Sequence, residues 1–225
     1  MIRLVLFDID GTLIYTRGAG TKAFARAFAT EFGLENATAE LSFAGRTDSS
    51  LVHECLTRHQ IEPSPENFRR FYDAYVFLLD HYLHELAGGV QPGVPQWIED
   101  LRGLPHQPVV GLLTGNIRLG AEIKLRHFGL WDAFAMGGYG DDSQDRAQIA
   151  AVARARGAAL LPGTLRDEEV LVVGDTTRDI ACGRAINARV LAVATGGHPI
   201  EKLRPHSPDW LVENLTQLSA AEVCG

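Results

Sequence analysis

The sequence predicts an α/β fold, a Rossmann-like parallel sheet core with an inserted α-helical cap domain. Three observations lead there. Short aliphatic runs recur at residues 2–7, 109–113, 170–173 and 190–193, each the length of a strand buried on both faces. From Val109 onward these runs alternate with helical patterns, as parallel strands joined by right-handed crossovers do. Between the first run and the others, from about Thr21 to Leu86, strand-like alternation is missing and apolar residues fall at helical spacing.

The elements follow in order. Ile2 to Phe7 reads as strand one; it stops at Asp8, and Gly11-Thr12 follows at once. In the helical stretch, Phe24, Ala27 and Phe28 recur together, as do Leu51, Cys55 and Leu56, and then Phe71, Tyr75, Leu78, Leu79 and Tyr82. That pattern predicts three or four helices packed on one another. Glu62-Pro63-Ser64-Pro65 is a turn with Ser64 as N-cap. Gly88-Gly89 and Pro92-Gly93 mark a loop or hinge, which Arg17-Gly18 matches at the other end of the block.

Beyond it, Pro95 to Arg102 predicts a helix, Val109 to Leu113 a strand, and Arg118 to Phe128 a helix closed by Gly129. Phe134 to Met136 predicts a short strand, and Gln144 to Arg156 a helix closed by Gly157. Val170 to Val173 is the next strand, Asp179 to Ala185 a helix, Val190 to Val193 a strand, and Trp210 to Val212 an edge strand. The simplest topology places a core at residues 1–16 and 89–225 and a cap at 17–88.

Composition narrows the function. With 225 residues, 46% apolar and 22% charged, the chain has room for a packed core and a small insert. Its 21 Lys and Arg against 28 Asp and Glu give a net charge of −7, which argues against broad nucleic-acid or anionic-membrane binding. A local site can still be positive. No apolar run approaches the roughly 20 residues of a membrane span, and MIRLVLFDID turns acidic too early for a signal peptide. Cys55, Cys182 and Cys224 lie far apart and form no CxxC pair. The expectation is a cytoplasmic protein, monomer or homodimer, with neither nucleic acid nor membrane as partner.

Ligands of an open parallel sheet gather at the carboxyl ends of the strands. Here those ends read Asp8-Ile9-Asp10-Gly11-Thr12, Thr114-Gly115-Asn116 and Asp175-Thr176-Thr177-Arg178-Asp179. Carboxylates brought together repel and raise one another's pKa unless a cation sits among them. Hard oxygen ligands suit Mg²⁺, which needs few carboxylates. With that ion present, Asp8 can attack phosphorus and form an aspartyl-phosphate. Asp10 can protonate the leaving oxygen and then activate water, and Gly11 permits the turn that brings both carboxylates to one place. Thr114 offers a hydroxyl, and Gly115 and Asn116 offer backbone N–H groups ahead of a helix, a phosphate-binding arrangement. One long cation is still needed, and Arg146 and Lys124 are the candidates. Arg146, at the start of a helix, is preferred; Lys124, mid-helix, is expected to face solvent.

Asp8-x-Asp10-Gly11-Thr12, Thr114 after an apolar strand, a basic residue and Gly174-Asp175-x-x-x-Asp179 resemble, in that order, the haloacid dehalogenase-like (HAD) hydrolase superfamily. Size and layout look most like its phosphoglycolate phosphatase and β-phosphoglucomutase branch. The resemblance implies that Asp8 is nucleophile and metal ligand, and that Asp10 is acid/base with its backbone carbonyl on the metal. Thr114 then holds the phosphoryl group, Asp175 is the main acidic Mg²⁺ ligand, and Asp179 is a further ligand or a partner of one. The third motif usually carries Lys, often before a proline; here Arg146 stands in its place with no proline, and Arg clamps phosphate with a different geometry. Dehalogenation is disfavoured because a halide needs no proton donor, which leaves Asp10 without a task.

Gly45-Arg46-Thr47-Asp48 admits two readings. It is a loop with Asp48 as N-cap, or a cap loop dipping toward the site with Arg46 on the far end of the substrate. His81 and His84 share a helix face without an acidic or thiol partner evident at matching spacing, and His53 and His198 read as residues bordering the site or, in preference, as surface residues. The expected function is Mg²⁺-dependent hydrolysis of a small phosphorylated metabolite, phosphoglycolate or a sugar phosphate. A phosphomutase and a catalytically silent regulatory binding protein are the alternatives.

Overall fold

β1 (Leu4–Phe7) runs through the middle of a parallel six-stranded sheet, and its pleat explains why. Val5 and Phe7 face one hydrophobic cluster while Leu4 and Leu6 face another, so a four-residue strand is buried on both sides. A computed structural model describes all 225 residues. The sheet order is β5-β4-β1-β6-β7-β8, with β4 at Val109–Leu113, β5 at Met136–Gly138, β6 at Val170–Gly174, β7 at Arg189–Val193 and β8 at Trp210–Val212. Every pairing in it is parallel. The chain builds outward from β1 to β4 and β5 on one side, then crosses to β6, β7 and β8 on the other. That reversal leaves a crevice at the carboxyl ends of the central strands.

Helices cover both faces. α4 (Val94–Gly103) and α5 (Arg118–His127) pack Trp97, Leu101, Ala121 and Leu125 against the Val5 and Phe7 side. α6 (Arg146–Ala158) packs Ile149 and Ala153 against the Leu4 and Leu6 side, where α7 (Thr177–Ala185) adds Cys182. α8 (Ile200–Leu203) and α9 (Ala220–Cys224) complete the shell.

Between β1 and β4 lies a bundle of three helices, α1 (Ala19–Phe32), α2 (Asp48–Arg58) and α3 (Pro65–Glu85), with a core of its own. Phe24 is its hub. Its ring lies 4.6 Å from Phe71, 5.5 Å from Phe28, 5.3 Å from Phe43 and 5.8 Å from Tyr75. The bundle core takes in one residue from outside the three helices' stretch, Ile117, just ahead of α5. Ser64 caps α3 by accepting the Asn67 N–H at 3.3 Å.

Several expectations need correction. The third core strand is Met136–Gly138 rather than Phe134 to Met136. Its two glycines carry no hydropathy, and Phe134 instead sets its ring 6.2 Å from Phe7. Gly157 does not close α6; it lies inside it, where a side chain would strike Leu4. Thr47, not Asp48, caps α2, accepting the Ser50 N–H at 3.1 Å. The leaving and returning chains also form an unforeseen two-stranded ribbon, β2 (Ile14–Tyr15) with β3 (Gly89–Val90). Two residues are too short a run for any periodicity to show.

Candidate active site

A cavity of about 470 Å³ opens at the carboxyl ends of β1, β4 and β6, with the helical bundle supplying its opposite wall. Asp8, Asp10, Gly11, Thr114, Gly115, Asn116, Arg146 and Asp175 all line it, and so does Arg46. Asp179 stands behind, fully buried on α7.

Oxygens of Asp8, Asp175 and Asp179 lie within 4.8 Å of one another. Each is placed by a local device. Asp8 continues β1, its N–H donating to the Val173 carbonyl of β6 at 2.9 Å. Asp175 follows β6; its carboxylate accepts the Thr12 hydroxyl at 3.1 Å and the Gly197 N–H at 2.5 Å. Asp179 closes a capping box with Thr176, accepting that residue's N–H at 2.9 Å and its hydroxyl at 2.6 Å. Gly11 is obligatory on two counts: its φ is +90°, and a Cβ there would sit 2.5 Å from the Asp175 carboxylate.

The electrostatics are those of a crowded anionic nest. Burial, then the neighbouring Asp179, push the Asp8 carboxyl well above the ordinary carboxylate range, although Arg146 opposes them. Burial and Asp179 also push Asp175 up to about 7, against the Gly197 N–H and the Thr12 hydroxyl. Arg146 reaches from the first turn of α6 to Asp179, and its Nη2 lies 3.5 Å from Asp8. Burial works against its charge, but Asp179 and Asp8 outweigh burial and hold it firmly protonated. One guanidinium does not balance three carboxylates. The donor set, all hard oxygen and short of positive charge, fits a divalent cation of the Mg²⁺ type.

Asp10 stands apart from the three. Its carboxylate turns to the opposite side, where Oδ2 accepts from Lys124 Nζ at 2.7 Å and Asn116 Nδ2 at 2.8 Å. Lys124 therefore does not face solvent: its side chain is 5% exposed and points into the cavity. Thr114 accepts from Asn116 through the same amide at 2.8 Å. Both candidate cations thus reach the site, one on each side.

The loop at residues 44–48 does dip to the core. The Asp48 N–H donates to the Gly115 carbonyl at 2.7 Å, and the Asp48 carboxylate accepts the Ile117 N–H at 2.9 Å. Ser49 donates to the Gly140 carbonyl at 2.8 Å, and Arg178 to the Ala44 carbonyl at 3.1 Å. Burial pushes the Asp48 carboxyl up to about 6, with Lys124 pulling the other way. Arg46 lines the cavity but pairs with Glu54 of the helix that follows it, α2. Gly115 lies flush against this loop, so a methyl group there would overlap the Arg46 carbonyl. Gly115→Ala is expected to lift the loop, lower kcat/KM about 10²-fold and speed hydrogen exchange of the Asp48 amide; unchanged exchange would refute the account.

The histidines take no part in the nest. His81 and His84 are exposed and, against expectation, each has an acidic neighbour one turn away, Glu85 and Asp80; His53 is exposed as well. His198 sits nearer the site, accepting the Thr177 N–H at 3.1 Å.

Comparison with known proteins completes the picture. The model of the haloacid dehalogenase-like hydrolase family matches residues 5–193. The chain is 31% identical to a phosphoglycolate phosphatase of Cereibacter sphaeroides over 209 residues, 90% of each chain. It is 25% identical, over 97% of its own length and 96% of the other, to a protein of Clostridium perfringens that carries the pyrophosphatase name PpaX. Its fold is similar to that of CbbY from Rhodobacter sphaeroides, crystallised with xylulose-1,5-bisphosphate, at a TM-score of 0.75 with 17% identity over 99% of each chain. The chain belongs to the haloacid dehalogenase-like hydrolase family, in its phosphoglycolate phosphatase-like branch.

Proposed function

We propose that this phosphatase hydrolyses a small phosphate monoester in two steps through an aspartyl-phosphate at Asp8. The observation that carries the reading is the convergence of Asp8, Asp175 and Asp179 within 4.8 Å beside Arg146, with Asp10 held apart and facing the same cavity. Asp8, Asp175 and Asp179 would hold Mg²⁺, together with the backbone carbonyl of Asp10. When bound, the ion offsets repulsion between the carboxylate and the anionic ester.

In the first step an Asp8 oxygen bonds to phosphorus while the ester oxygen leaves, taking a proton from Asp10. In the second, Asp10 takes a proton from water, whose oxygen bonds to phosphorus as the bond to Asp8 breaks. Thr114, the N–H groups of Gly115 and Asn116, and Arg146 hold the phosphoryl oxygens. Arg146 already touches the nucleophile, which supports it as the phosphate clamp.

Residues 17–88 act in this reading as a cap that excludes bulk water. The clasp of Asp48 on Gly115 and Ile117 supports it. The cavity volume suits small esters such as phosphoglycolate or a sugar phosphate, and the phosphoglycolate phosphatase relatives support that class. Three unpaired, buried cysteines support a reducing, cytoplasmic setting; no helix is long and apolar enough to cross a membrane. The test is phosphate release with Mg²⁺ over a panel of phosphoglycolate, sugar phosphates and pyrophosphate. Turnover of at least one monoester is expected. Silence across the panel would overturn the reading, and turnover of pyrophosphate alone would replace it.

A further inference from the structure

Lys124 is the least expected residue of the site, because an ammonium 5% exposed in mid-helix must be matched by acceptors or it destabilises the fold. It has two. Nζ lies 2.7 Å from Asp10 Oδ2 and 2.6 Å from Asn116 Oδ1. Asn116 closes the triangle by donating its Nδ2 to the same Asp10 oxygen at 2.8 Å, and it is steadied in turn by Thr114. Two donors therefore saturate one oxygen of Asp10. The other, Oδ1, has no hydrogen-bond partner, and the Asp10 side chain is 42% exposed to the cavity.

We propose that Lys124 is a positioning residue, which with Asn116 grips Asp10 by Oδ2 and so presents Oδ1 as the atom that exchanges the proton. The proposal rests on the two-step reading above. In the first step the proton leaves Oδ1 for the ester oxygen as its bond to phosphorus breaks and the bond from Asp8 forms. In the second, water gives its proton back to Oδ1 as its oxygen bonds to phosphorus and Asp8 is released. Atoms and charge balance over the cycle, and Lys124 keeps its own proton throughout. A lysine that merely filled space or bound the phosphoryl group has no reason to share one oxygen of the acid/base with a neighbouring amide. The phosphoryl-binding side of the cavity already has Arg146.

The grip predicts a dependence on the leaving group. An alcohol needs the proton, whereas p-nitrophenolate departs without one. The ratio kcat/KM covers the chain only up to departure of the leaving group, so it isolates this step. With Mg²⁺ present, Lys124→Met is expected to lower kcat/KM about 10²-fold on an alkyl phosphate that the wild type turns over, and less than about threefold on p-nitrophenyl phosphate. Equal losses on both esters, or no loss on the alkyl ester, would overturn the proposal. The double variant Asp10→Asn/Lys124→Met guards against misfolding: on the alkyl ester it should be no slower than Asp10→Asn alone, since Lys124 acts only through Asp10. Additive losses count against it. A wild type inactive on both esters would overturn the two-step reading and this proposal together, whereas an active wild type with equal losses in the variant removes only the role of Lys124.

Discussion

Asp8→Asn is expected to abolish phosphate release, by about 10⁴-fold or more, while making the metal-free protein harder to unfold. The first half follows from the proposed chemistry, because an amide cannot form the aspartyl-phosphate. The second follows from electrostatics. Burial and Asp179 raise the Asp8 carboxyl in the folded state, so the folded chain holds a proton there that the unfolded chain has already released. Stability from this group is complete below the ordinary carboxylate range and is lost as pH rises through the raised value. At neutral pH and above, without a cation, the nest is at its most strained, and removing one charge relieves it. A thermal melt at pH 8 in EDTA should show a higher Tm for Asp8→Asn than for wild type. A lower Tm would mean that the 3.5 Å contact with Arg146 outweighs the repulsion.

Mg²⁺ is expected to raise the Tm of the wild type at pH 8 by about 5–10 °C when present at about 100 times its dissociation constant. Binding at that ratio stabilises by about 2.7 kcal/mol, and each kcal/mol is worth about 2–4 °C in a chain of this size. The gain should fade as pH drops below about 7. Asp175, pushed up to about 7, then takes a proton in place of the ion. In the metal-free protein the same protonation stabilises, so the two Tm curves should converge toward pH 5. Chelation should also stop turnover. A Tm indifferent to Mg²⁺ at pH 8, with turnover persisting in EDTA, would remove the cation from the site.

Much of this was written in the strands. β1 and β6 were legible because both their faces are buried, which leaves an unbroken aliphatic run that only a central strand accommodates. Their ends were legible for the same reason: the first polar residues after such a run lie at the sheet edge, as Asp8 and Asp175 do. What depended on a side chain's direction was not. Lys124 was expected in solvent because a lysine in a helix usually is, yet Ile117, Ala121 and Leu125 mark out a buried stripe that includes position 124. That periodicity was the available signal. Asp48 had none, since its partners, Gly115 and Ile117, are about seventy residues away. β5 was displaced because glycine is silent to hydropathy, and Phe134 beside it is not.

The contact between Asp48 and Ile117 has a mechanical corollary. α5 begins after Ile117, whose side chain offers no acceptor to the helix's free amides. The carboxylate of Asp48, borrowed from α2, supplies one. The two parts of the molecule thus share a helix end. An outward swing of the bundle strips the Ile117 amide of that acceptor, and the Arg118 N–H, held by the Asp141 carboxylate, is then the amide still capped at the start of α5. Seating of the bundle and capping of the start of α5 are therefore coupled through one shared carboxylate.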